Sequence, residues 1–173
     1  MVLFCLIFFS ICCIINYIYK IKTISNVDED KVDWTQFDAL HKLFEERYPL
    51  IHKTLKKEIV GKASLLYTWE GKNPDLEPIA LLGHQDVVPA GNGWSFEPFK
   101  GIFDGNVIIG RGACDNKDAA VAAMLAMNFF KENNIELPFT VRLILGCSEE
   151  TGMGDLPHFL ESRPAPDFTF TPD

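Results

Sequence analysis

The sequence predicts an α/β domain, a mostly parallel sheet flanked by helices. Two observations carry this expectation. Short apolar runs alternate with helical stretches, the order that builds strand–helix–strand units. Two of those runs, Pro78 to Gly83 (PIALLG) and Phe139 to Gly146 (FTVRLILG), are almost wholly apolar, as strands covered on both faces are. With 173 residues, 47% of them hydrophobic, the chain can bury one real core. A net charge of -8 argues against a nucleic-acid partner, which would need clustered Lys and Arg. Three of the five cysteines sit in the apolar head (Cys5, Cys12, Cys13), so a disulfide scaffold is excluded.

The elements follow in order. Val2 to Tyr19 carries no charge and, as a helix, would reach about 27 Å, close to a thin hydrocarbon core. Tyr17, Tyr19, Lys20 and Lys22 would mark the headgroups. Residues 1–22 are therefore expected to form a single-pass signal anchor. The rival is a cleaved signal peptide, which would make the protein secreted. Residues 23–32 read as a polar, acidic linker. Asp33 caps a helix with Gln36 as capping-box partner, Phe37, Leu40, Phe44 and Tyr48 recur at helical spacing, and Pro49 ends it. Ala63 to Trp69 reads as a strand, Gly71 to Glu77 as a turn, and PIALLG as a central strand. Asp104-Gly105-Asn106 makes a hairpin turn. Lys117 to Lys131 is an Ala- and Met-rich helix. FTVRLILG is another strand, a short helix follows near Asp155 to Glu161, and Asp167 to Thr171 is a last strand.

In such sheets ligands gather beyond the carboxyl ends of the strands. Four successive strand ends here carry His84-Gln85-Asp86, then Asp115, then Glu149-Glu150, then Asp173. Imidazole and carboxylate together suit zinc and similar divalent cations. His84 and Asp86 are two apart and share one side of an extended segment, so His84 can bind a metal while Asp86 takes its other ring N–H. Glu149 and Glu150 diverge if extended. One can ligate while the other serves a bound water as general base. Asp115 can bridge two ions. Each feature also has a plain structural account: a packed His-x-Asp, a solvated Glu pair, and a helix N-cap at Asp115. Their joint position at consecutive strand ends is what points to chemistry.

The motifs Gly83-His84-Gln85-Asp86-Val87-Val88-Pro89, Gly110-Arg111-Gly112-Ala113-Cys114-Asp115-Asn116-Lys117, Ser148-Glu149-Glu150-Thr151-Gly152 and Thr171-Pro172-Asp173 together resemble the M20 family of zinc metallopeptidases. The earlier FDALHKLFEERYPLIHKTL and SLLYTWEG resemble its carboxypeptidase S branch. DVVPAGNGW, SEETGMGDL and PDFTFTPD are closer to PepV-type dipeptidases. The resemblance implies a phosphorylase/hydrolase-like zinc-peptidase fold and two zinc ions. His84 would bind one, Asp115 would bridge both, Glu150 would bind the second and Asp173 would complete the first. Glu149 would be the catalytic general base and acid, Asp86 would orient His84, and the Asp115–Asn116 peptide would be cis. Substrates would be small peptides or N-acyl amino acids. The domain would lie in the lumen, vacuole or extracellular space. Residues 33–173 would be the N-terminal part of a catalytic domain, lacking the late zinc-binding His and the lid through which relatives dimerise. Asp118 replaces a usual Gly. The alternative is a catalytically inactive, membrane-tethered binding module.

Other residues carry structural expectations. Cys114 and Cys147 are read as small buried residues beside the site, and His41, His52 and His158 as surface or half-buried. Arg111 is read as one partner of an ion pair, and the aromatics from Trp94 to Phe99 as packed on the sheet.

Overall fold

The structure, a computed structural model, describes Ile14 and residues 17–172, apart from the side chain of Ser162. The first helix, α1 (Trp34–Arg47), starts at Asp33, whose carboxylate accepts the Thr35 amide at 3.2 Å. Gln36 completes the box only in part. Its side chain reaches the Asp33 carboxylate at 3.4 Å, while its oxygen accepts the Lys22 amide at 3.0 Å. α1 ends at Arg47, just ahead of Pro49, as expected. A proline lacks the N–H that a first helical residue has no use for, and Pro49 opens a second helix, α2 (Pro49–Thr54).

Next comes β1 (Lys56–Val60), a strand absent from the sequence expectation. Its residues KKEIV show no clean alternation because it is an outer strand, and lysines are common on such edges. The hairpin through Gly61, at φ 62°, returns the chain as β2 (Ser64–Trp69). β3 (Ile79–His84), β4 (Ile102–Phe103), β5 (Ile108–Ile109), α3 (Lys117–Glu132), β6 (Val141–Gly146), α4 (Leu156–Ser162) and β7 (Phe168–Phe170) follow.

The main sheet has the order β1-β2-β6-β3-β7, and β4 and β5 form a separate two-stranded ribbon. β3 is parallel to both β6 and β7, whereas β2 is antiparallel to β1 and β6. The sheet is therefore mixed: four strands point one way and β2 alone opposes them. The tight β1–β2 hairpin imposes that reversal.

Leu65, Tyr67 and Trp69 alternate onto one face of β2, where they meet Val141, Leu143 and Leu145 of β6, Leu40 and Phe44 of α1, Ile51 of α2, and Met124 and Met127 of α3. The opposite face is covered more thinly, by Phe159 and Leu156 of α4 against Leu66 and Ile144.

Ile14, Ile18 and Tyr19 from the apolar head lie in the main core, and Thr23 and Ser25 are buried. Asn26 to Lys31 are exposed. Most of the expected anchor, residues 1–13, 15 and 16, lies outside the described residues. Among the described residues no helix is long and apolar enough to cross a membrane.

β3 is the strand at which the order reverses. The chain passes from it to β6 on one side and then to β7 on the other, which opens a crevice at its carboxyl end. His84, the last residue of β3, pairs with Gly146, the last of β6.

Candidate functional site

Strand pairing brings the β3 and β6 ends together, and the sequence beyond each end supplies the polar groups. The Gln85 amide continues the ladder to the Gly146 carbonyl at 2.9 Å. Its side chain is held by the carbonyls of Ala63 and Leu145 and by His41. Those partners hold Gln85 on one side of the chain, while the His84 ring and the Asp86 carboxylate turn toward Asp115 and the glutamates.

The His84 ring is buried and doubly engaged. Nδ1 lies 3.1 Å from the Asp86 carbonyl and 3.3 Å from its carboxylate. Nε2 lies 2.9 Å from Asp115 and 3.9 Å from the Glu149 carboxylate. Burial pulls the imidazole's pKa down, but Asp86, Glu149 and Asp115 outweigh it and carry the ring up to about 9.

Asp86 does more than the sequence suggests. It is completely buried, and its two oxygens accept the amides of Glu149 and Glu150, each at 3.2 Å. Those amides open a 3-10 turn, Glu149–Thr151, closed by Gly152 at φ 101°. The two glutamates therefore sit on a turn hung from Asp86 and are not extended as the sequence suggested. Burial, with Asp115 adding to it, pushes Glu150 above the usual carboxylate range.

Asp115 is not a helix cap. Asn116 holds that position at the start of α3, and the Asp115–Asn116 peptide is cis. Asp115 is largely exposed, with its carboxylate turned to His84. The buried Asn116 links two strand ends: its oxygen accepts the His84 amide at 3.4 Å and its amide donates to the Pro172 carbonyl at 2.7 Å. Asp173 lies outside the described residues.

The donor chemistry, one imidazole nitrogen facing carboxylate oxygens, fits a hard or borderline divalent cation. The excess of carboxylates around a single imidazole points the same way. Among the described residues, however, no three His, Cys, Asp or Glu side chains already converge as a finished coordination cluster. His84 and Asp115 meet each other directly. An apolar recess lined by Leu82, Ile144, Met153, Leu156 and Phe159 opens beside His84 and Glu149.

Three supporting residues went unread in the sequence. Asp155 accepts hydrogen bonds from Ser64, from the Cys147 amide at 2.9 Å and from Ser148 at 2.6 Å, so it braces the chain entering the glutamate turn. Lys117 is 1% exposed, and burial drives its ammonium down to about 7. Asn116 is the third. The sequence placed Asn116 and Lys117 in a motif and Asp155 in a short helix but gave none of them these contacts, since burial is set by packing that no local pattern reveals.

Several expectations need correction. Cys114 is exposed, because it sits on the turn ahead of α3, while Cys147 is buried, with its thiol raised to about 11 by desolvation. His41 is buried against Gln85, not at the surface. Arg111 reaches the Pro89 and Ala90 carbonyls and lies over the Trp94 ring, in place of an ion pair. Trp94 itself donates to the Ala90 carbonyl, and Phe96 is exposed, so this aromatic stretch folds on itself more than on the sheet.

Residues 80–171 match the model for peptidase family M20/M25/M40. Carboxypeptidase S of Saccharomyces cerevisiae is 38% identical over 148 residues, 80% of this chain and 26% of that protein. The Beta-Ala-Xaa dipeptidase of Lactobacillus delbrueckii subsp. lactis is 38% identical over 96 residues, 55% of this chain and 20% of that protein. The fold matches an M20 family metallo-carboxypeptidase from Sulfolobus solfataricus with a TM-score of 0.74 at 21% identity, covering 92% of this chain and 36% of that one. It also matches human carnosine dipeptidase 1 with a TM-score of 0.67 at 20% identity, covering 87% and 34%. The chain thus spans 26% of the length of the first carboxypeptidase relatives.

Proposed function

The chain belongs to peptidase family M20/M25/M40, and from that premise we propose that it contributes the first part of the catalytic domain of a metal-dependent amide hydrolase. The substrates are small peptides or N-acyl amino acids. His84, Asp115, Glu150 and Asp173 hold two zinc ions, which when bound supply an acidified water and a polarised substrate carbonyl. Glu149 accepts the proton from the attacking water and returns it to the leaving amine. Asp86 takes the Nδ1–H of His84, which turns Nε2 toward the ligand position and fixes the ring. Through its other contacts Asp86 also sets the turn that carries Glu149 and Glu150. One carboxylate thus orients a ligand and the base together.

The observation that supports this reading most directly is the single constellation at the β3 switch point. There the His84 ring lies between Asp86 and Asp115, within 3.9 Å of the Glu149 carboxylate. The test uses a polypeptide of the relatives' full length. Glu149→Ala is expected to keep zinc and lose about 10²–10⁴-fold in peptide hydrolysis, the usual contribution of a general base. Asp115→Ala is expected to lose zinc as well. Metal analysis beside a dipeptide assay separates the two, and normal turnover by Glu149→Ala overturns the assignment.

A further inference from the structure

The polar end of the apolar head runs directly behind the site. Thr23 and Ser25 clasp Val87: the Val87 amide donates to the Thr23 carbonyl at 2.9 Å and the Ser25 amide to the Val87 carbonyl at 3.3 Å. The Thr23 hydroxyl donates to the Gln85 carbonyl at 2.6 Å. This segment therefore pairs, strand-like, with the loop that carries His84 and Asp86. On its other side it meets Lys117, two residues after Asp115. The Lys117 ammonium donates to the Ile21 carbonyl at 2.7 Å and to the Ile18 carbonyl at 3.4 Å. Ile14, Ile18 and Tyr19 fix the same segment in the main core.

We propose that residues 18–25 form a strap that holds the His84 loop and the Asp115–Asn116 turn in register, with Lys117 as the positioning residue that fastens it. An apolar side chain of equal length would fill the same volume without taking an ammonium out of water, so what the ammonium adds is direction. The fit leaves no slack. Gly112, at φ 81°, has room for no Cβ, since one placed there would lie 2.9 Å from Val87 Cγ1 and 3.3 Å from Lys117 Cδ. The strap thus touches both loops from which the imidazole and the first carboxylate emerge, and loosening it lets them drift apart. A head that crossed a bilayer through residues 2–19 would draw Ile14, Ile18 and Tyr19 out of this arrangement.

The inference rests on His84 and Asp115 being ligands, and its test separates the two ideas. Zinc affinity of a polypeptide of the relatives' full length is measured by competition with a chromophoric chelator, and amide hydrogen exchange is read at Val87, with Leu66 in β2 as the reference for general stability. Lys117→Met keeps the volume and removes the donor. It is expected to weaken zinc binding by about 10–100-fold, the usual effect of losing a residue that supports a ligand. It is also expected to speed exchange at Val87 at least tenfold relative to Leu66. Thr23→Val, which removes one hydroxyl, shifts both readouts in the same direction by less. Equal acceleration at Val87 and Leu66, or loosened Val87 with unchanged zinc affinity, overturns the positioning role. If the unmodified full-length polypeptide binds no zinc, the ligand assignment fails. Exchange at Val87 then decides the strap alone, and unchanged protection there overturns it.

Discussion

Replacing Asp155 by alanine strands three donors at once. Its carboxylate is 8% exposed and receives the Ser64 hydroxyl, the Cys147 amide and the Ser148 hydroxyl. Ser64 is fully buried and Cys147 nearly so, so water cannot take the place of the lost oxygens there. At about 1–3 kcal/mol for each buried donor left without a partner, two such donors put the loss at about 2–5 kcal/mol, with Ser148 free to turn to solvent. Urea unfolding of the chain measures it. Burial pushes Asp155 up, but Ser148, Ser64 and the Cys147 amide together hold it below the usual carboxylate range. A depressed carboxylate stabilises above its unfolded value and loses that contribution as pH falls. The gap between the parent chain and Asp155→Ala should therefore be full at neutral pH and narrow below about pH 4. Asp155→Asn, which keeps one acceptor oxygen, should cost less. A loss under about 0.5 kcal/mol for Asp155→Ala, or a gap indifferent to acid, would refute the reasoning, because that range is where surface substitutions fall.

Two further outcomes follow from groups outside the crevice. Burial, with Lys57 adding to it, holds His41 below the ordinary imidazole value. The unfolded chain then takes up the proton first, and stability drains as pH drops through about 6.5 toward the folded value. His41→Leu should flatten the fall in urea midpoint between pH 7.5 and 5.5, and an unaltered fall would count against it. Gly112→Ala forces a Cβ against Val87 at a left-handed backbone and should destabilise by about 1–3 kcal/mol in the same titration. A wild-type midpoint would show that the contact yields at no cost.

Much of the fold was legible where period and composition agree. PIALLG and FTVRLILG form inner strands, one face buried and the other half-buried, and the Ala-rich run became α3 almost to the residue. β1 was not legible, because an outer strand with half-exposed lysines lacks both alternation and an apolar run. Pro49 marked the end of α1, but the helix it opens was not legible, because only the neighbouring geometry decides whether a proline starts a new turn. At the site, His84, Asp86, Asp115 and the glutamates could be named from their places after strands. The turn geometry of Glu149 and Glu150 could not, because it depends on Asp86, more than sixty residues away. Asp155, Asn116 and Lys117 act through long-range contacts for the same reason. From the apolar head, Ile14, Ile18 and Tyr19 face the protein core, a packing that a charge-free run does not reveal.

The short outer strand β7 carries a practical consequence. It pairs with β3 along one side, and its two aromatic rings, Phe168 at 59% and Phe170 at 54% exposure, stand in water. Unsatisfied peptide groups beside bare aromatic rings are adhesive toward any other extended chain. Residues 17–172 taken by themselves would therefore tend to self-associate as their concentration climbs, and light scattering over a dilution series reads this out.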